Sequence, residues 1–203
     1  MHSTKIFYFA FVGITFLLNG CTGSLSNLEN PKVLNPGEVS SRIGTTFPGN
    51  PTPSNDVALN IGVIRRVEVA AKTDLQSFTF ALRYQLIDTP YVTLSLSKIR
   101  IVSKIVTNEN ESNPDGALWV PSLLIGRDHW YLGIKPAYST FTGYIKNSSP
   151  LIIFESNKWN SITLIGGAII RAGYVNFLLE INDYFSRPGS PILIPAIGVS
   201  KVF

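Results

Sequence analysis

Few side chains in this 203-residue chain could do covalent or acid–base chemistry. Cys21 is the single cysteine, so an intramolecular disulfide is impossible. His129 follows Asp128, and a histidine beside a carboxylate can act as a general base. It is followed by Trp130 and Tyr131, so no serine stands two residues on to be activated; the plainer reading is a turn residue beside aromatic neighbours. One histidine in the body of the chain and one cysteine near its start make no metal-ligand set of usual spacing. No cofactor is expected, since phosphate loop, Gly-x-Ser-x-Gly elbow and dinucleotide fingerprint are all missing. Seven charged residues stand in or beside apolar runs: Arg65, Arg66, Glu68, Arg83, Lys98, Arg100 and Glu180. Such groups pair with one another in a network or hold anionic lipid headgroups, or they merely fill polar space and snorkel.

The elements that must position these groups begin after a leader. Residues 1–20 carry one firm positive charge, Lys5, and an apolar stretch from Ile6 to Leu18. That stretch is too short for a transmembrane helix, which needs about 20 residues, and fits a secretory signal peptide. Leu18-Asn19-Gly20-Cys21 resembles the lipobox of bacterial lipoproteins, although Asn19 departs from its commonest pattern. The resemblance implies a diacylglycerol thioether on Cys21, cleavage before it and N-acylation by palmitate or a similar chain. The alternative is an ordinary cleavage near Gly20 or Gly23, but a single unconsumed thiol on an exported chain is an oxidation liability. Thr22, in place of the Asp that retains enterobacterial lipoproteins in the inner membrane, points to the outer one.

Composition then narrows the body of the chain. Only 15% of residues are charged, against roughly 25% in soluble proteins. Without Lys5 there are 16 Lys and Arg against 13 Asp and Glu, a balance that gives no reason to expect nucleic-acid binding. Residues 22–37 lack periodicity and read as a tether from the lipid. Residues 38–47 are a candidate first strand, and 48–56 a proline-rich loop. From 57 to 71 apolar odd positions alternate with polar even ones, with a tight turn expected at Arg65-Arg66. Phe78, Phe80, Leu82, Tyr84 and Leu86 alternate with Ser77, Thr79, Ala81, Arg83 and Gln85, ending at the turn Asp88-Thr89-Pro90. Residues 91–106 change phase at Lys98, which predicts a β-bulge or a passage out of the membrane. Residues 107–116 are the most polar in the chain and predict an exposed loop. Further strand-like runs cover 117–127, 129–141, 159–171, 174–185 and 191–203, with a short addition at 151–156. Residues 161–179 could pass for an apolar helix, but Arg171 at their middle and the turn-like Ala172-Gly173 favour a hairpin.

These runs fit an all-β fold, an antiparallel up-and-down barrel of about eight strands, or ten if 38–47 and 151–156 join the sheet. The alternative is a soluble β-sandwich, which shows the same alternation. Scarce charge favours the barrel, as do aromatic residues near the ends of runs (Trp119, Trp130, Tyr131, Tyr138, Trp159, Tyr174, Tyr184 and Phe185). The ending GVSKVF resembles the C-terminal signal of Gram-negative outer-membrane barrels: Gly198 and Phe203 match, while Lys201 replaces the expected aromatic residue. Pro36-Gly37-Glu38, Ile61-Gly62 with Glu68, and the Gly-Val-x-x-x-Phe ending also resemble a group of bacterial barrel proteins with lipoprotein leaders. That resemblance implies architecture and location rather than an activity.

The expectation is a signal peptide over 1–20, a lipidated tether over 21–37 and a barrel domain over 38–203. The function expected is a non-enzymatic outer-membrane barrel lipoprotein with a structural or surface-interaction role. A periplasm-facing lipoprotein with a soluble binding sandwich comes second, and a barrel enzyme acting on lipids third. The partners implied are outer-membrane lipid and the machineries for barrel assembly and lipoprotein processing; the sequence leaves the oligomeric state open. The seven charges would then line the lumen or rim.

Overall fold

The computed structural model describes residues 28–47, 53–74, 77–101, 105–107, 110–145, 152–186 and 191–203. The leader and Cys21 lie outside them. The described chain is strand almost throughout: β1 (Val39–Thr46), β2 (Ser54–Ile64), β3 (Val67–Thr73), β4 (Ser77–Asp88), β5 (Tyr91–Ile101), β6 (Ile105–Thr107), β7 (Asn110–Gly126), β8 (Trp130–Ile145), β9 (Ile152–Ala172), β10 (Val175–Ser186) and β11 (Ile192–Val202).

Apart from β5 and β6, consecutive strands pair antiparallel, β1 pairs with β11, and β5 pairs with β7. The sheet therefore closes on itself as a ten-stranded up-and-down barrel, with β6 as a short flap on β7. Around the closed belt no strand is left as an edge, and most backbone groups of the wall find partners without water. One closed sheet replaces the two facing sheets that a sandwich would need. Ten strands form because 38–47 joins the sheet as β1; residues 152–156 add no strand of their own, being the far end of the 21-residue β9.

The two ends of the barrel differ. At one end the connections are tight: Arg65-Arg66, Thr89-Pro90, residues 127–129 and Gly173-Tyr174. Arg66 and Gly173 there have φ of 69° and 62°, the left-handed conformation a two-residue turn demands. The start of β1 and the end of β11 lie at this same end, tied by hydrogen bonds between Val39 and Phe203. At the other end β7, β8 and β9 run on past their neighbours. One expectation fails here, and so does the bulge half of another. The polar stretch 107–116 is largely strand, because Ser112 to Trp119 pair with Ile145 to Tyr138, and a ladder does not require apolar side chains. The phase change at Lys98 is not a bulge: β5 pairs without a break from Tyr91 to Arg100. The register slips at Leu86 in β4 instead.

Side chains sort by strand parity. Outward positions carry Leu59, Ile61 and Val63, then Phe80, Leu82 and Tyr84, then Phe177, Leu179 and Ile181, all exposed. Inward positions carry Arg42, Asp56, Glu68, Arg83, Gln85, Thr93, Glu180 and Asn182, all buried. The molecule is apolar outside and largely polar inside, the reverse of a water-soluble domain.

Candidate functional site: a lumen closed by the chain's own N-terminal segment

Residues 28–36, within the stretch expected as a tether, turn back into the barrel at its tight-turn end. Gly37 and Glu38 hold the entry by backbone bonds of 2.9 and 3.0 Å to Gly62 at the end of β2. From there the strap runs inward to Leu28, which is only 1% exposed. It has no strand beside it, so its buried backbone groups need other partners.

Lumen side chains supply them. Gln85 accepts from the amide of Val33 at 2.9 Å and Glu68 from that of Leu34 at 2.9 Å. Thr93 donates to the carbonyl of Pro31 and Arg83 to that of Asn30, each at 2.5 Å. Arg42 donates to the carbonyl of Leu28 at 2.7 Å, and Glu180 accepts from its amide at 2.6 Å. The isobutyl group of Leu28 packs among Leu124, Tyr131, Ile165, Ile169, Leu178 and Ala196, an apolar layer inside the otherwise polar lumen. Glycines make room for it: a Cβ on Gly44 would stand 2.5 Å from Leu28 Cδ1, and one on Gly62 would stand 2.0 Å from the carbonyl oxygen of Asn35.

The charges that hold the strap also hold each other. Arg83 pairs with Glu68 and, through Nε, with Glu29 of the strap at 3.2 Å. Glu68 also accepts from Asn60 at 2.7 Å. Asp56 lies 3.3 Å from Arg42 and 3.7 Å from Lys72. Glu180 accepts from the Tyr131 hydroxyl and the Asn182 amide, each at 2.8 Å. Every buried charge named here therefore has an opposite charge or a hydrogen-bond donor, without which it would be too costly to bury.

Of the seven charged candidates, three belong to this network: Glu68, Arg83 and Glu180. Arg65 is exposed at the tight-turn rim, where Arg66 pairs with Asp88 at 2.5 Å. Lys98 and Arg100 point outward instead of into the lumen, and the Lys98 ammonium lies 5.1 Å from the centre of the Trp119 ring. Gly198 faces the lumen, where an added Cβ would meet Leu28 at 3.1 Å, and Phe203 is exposed at the rim under the Lys201 ammonium. His129 sits exposed in its turn, while the Asp128 carboxylate is taken by Arg171 at 2.6 Å and the Tyr91 hydroxyl at 3.4 Å. Among the described residues no group of three or more His, Cys, Asp or Glu could hold a metal ion.

Sequence reasoning missed Arg42, Asp56, Lys72 and Tyr131. Tyr131 was expected in the aromatic girdle; it lies fully buried in the lumen with its ring against Gly167. Parity could have placed all four, since each is in phase with the inward residues of its strand. No protein-family model matches the chain, and no curated protein matches it in sequence.

Proposed function

We propose that this chain is a non-enzymatic outer-membrane β-barrel lipoprotein, held by its barrel and by acyl chains on Cys21, with a structural or surface-interaction role. The observation that carries the reading is a closed barrel with an apolar outer face and a charged lumen filled by its own strap. An apolar outer belt suits hydrocarbon, and the tight-turn end holding both barrel termini suits the periplasmic side of such barrels. The packed lumen supports a role other than open transport. The leader, the lipobox-like Leu18-Asn19-Gly20-Cys21 and the terminal Phe203 agree with that address.

The test is migration in detergent gels together with membrane retention of Cys21→Ser. A membrane barrel runs faster unheated than heated, and Cys21→Ser stays in the membrane fraction because the barrel suffices. Identical migration, with Cys21→Ser released as soluble protein, would sink the barrel as the membrane anchor. Intact mass of the extracted wild type then reports cleavage before Cys21 and any acyl chains.

A further inference from the structure

The barrel wall is interrupted between β7 and β8. Pairing between β7 and β8 runs to Trp119–Tyr138, stops, and resumes at Leu123–Ile134. The registers on either side set Pro121 opposite Pro136. Neither proline has an N–H to donate, so the ladder cannot be completed there. Both face outward, and both are short beside the leucines and tyrosine around them. The result is a groove of about 470 Å³ on the outer wall across β4, β5, β7 and β8, lined by Tyr84, Leu94, Leu96, Pro121, Leu123 and Pro136 among others and almost wholly apolar. Its volume lies within the roughly 300–1,000 Å³ of ligand sites. At its floor the wall is thin: the Ser95 and Ser122 hydroxyls bond to each other at 2.5 Å.

One end of the groove is charged. Along β5 the outward row continues from Leu94 and Leu96 to Lys98 and Arg100, both exposed. Lys98 leans over Trp119, the outward residue next to Pro121 on β7. An apolar trough ending in a cation at an indole matches a molecule with an acyl chain and an anionic head. We propose that this groove binds one anionic phospholipid, its acyl chain along Pro121 and Pro136 and its phosphate at Lys98. The inference rests on the membrane reading above, since only a membrane-embedded wall meets lipid.

The test places the barrel in phosphatidylcholine vesicles, with Trp119 as the only tryptophan (Trp130→Phe, Trp159→Phe). Phosphatidylglycerol brominated on its acyl chains is then added, because bromine quenches a nearby indole. Saturable quenching at low mole fraction is expected, against merely proportional quenching by brominated phosphatidylcholine. Pro136→Phe fills the trough and abolishes saturation. Lys98→Gln raises the half-saturating fraction by about fivefold, the order expected of one lysine at an anionic surface. Proportional quenching by both lipids, or either variant behaving as its parent, would overturn the proposal. Failure to insert into vesicles at all, seen as full protease sensitivity, would overturn the membrane reading and the groove with it.

Discussion

Arg83 ties the lumen wall to the strap. It meets Glu68 on β3, Glu29 of the strap and the carbonyl of Asn30. Both side chains of the Arg83–Glu68 pair are 1% exposed. Removing one partner of such a pair leaves an uncompensated charge, at a cost of about 3–5 kcal/mol, while replacing both with apolar residues is often neutral. Arg83→Met alone is therefore expected to lower the urea midpoint of the detergent-solubilised barrel strongly, and Arg83→Met with Glu68→Leu to recover much of the loss. A double variant no better than the single would assign the energy to the strap contacts. At the entry, Glu38 accepts from the amide and side chain of Asn35 at 2.8 and 3.0 Å. These bonds, the side-chain one foremost, hold its carboxyl below the ordinary value of 4.5. A depressed folded value means that the latch is stabilising above pH 4.5 and weakens as pH falls through that lower value. Hydrogen exchange at the Asn35 amide, corrected for its intrinsic rate, should quicken in that window, and Glu38→Gln should remove the pH dependence.

The strap and its wall are matched as elements through close backbone approach. Gly62 is bonded to Gly37 and Glu38 and lies against Asn35. Gly62→Val would drive a side chain into backbone that is held on both sides, at a cost of about 1–3 kcal/mol. Release of the strap should free the backbone on either side of the exposed Lys32, so that trypsin cuts there faster than in the parent. Gly166→Ala is the control, because its Cβ would meet only Leu132 Cδ2, at 3.9 Å. Equal cleavage of the two variants would mean that Gly62 does not gate the strap. The strands were legible in the sequence because each has one uniform face: Val57 to Val63, or Phe78 to Leu86, repeat every second residue. The same parity sorts the charges, since Arg83 is in phase with Thr79 and Gln85, whereas Lys98 is in phase with Leu94 and Leu96. The strap was not legible. Residues 28–36 have no period, and what fixes them comes from Glu68, Gln85, Thr93 and Glu180, up to 152 residues away along the chain. The length of β9 was hidden for a related reason: Glu155 to Lys158 interrupt the apolar pattern, so 151–156 and 159–171 read as two runs, whereas the pairing with β8 carries the backbone across them.

At the scale of the whole molecule, the strap occupies the space that a pore would need. A ten-stranded wall encloses more than the eight-stranded kind that side chains alone just fill. Here the difference is taken up by Leu28 and the backbone that follows it. Deleting residues 28–35 removes six hydrogen bonds and an ion pair between strap and wall. Glu68, Arg83, Gln85, Thr93, Arg42 and Glu180 each lose a partner. Leaving such groups buried and unpaired costs about 1–3 kcal/mol apiece, more where they are charged. The wall can avoid that cost by re-pairing across the lumen or by admitting water. Re-pairing can join only near neighbours, Gln85 with Thr93 in register and Arg42 with Glu180 across β11, and leaves the volume of the strap unfilled. Water is therefore the expected replacement. In planar bilayers the intact protein should give no channel steps, and the deleted form should give small, regular ones. The deleted form must still migrate faster unheated, which shows that the wall survives. Silence from a deleted barrel that passes this check would mean that the wall side chains close the lumen alone, leaving the strap to contribute stability but not closure.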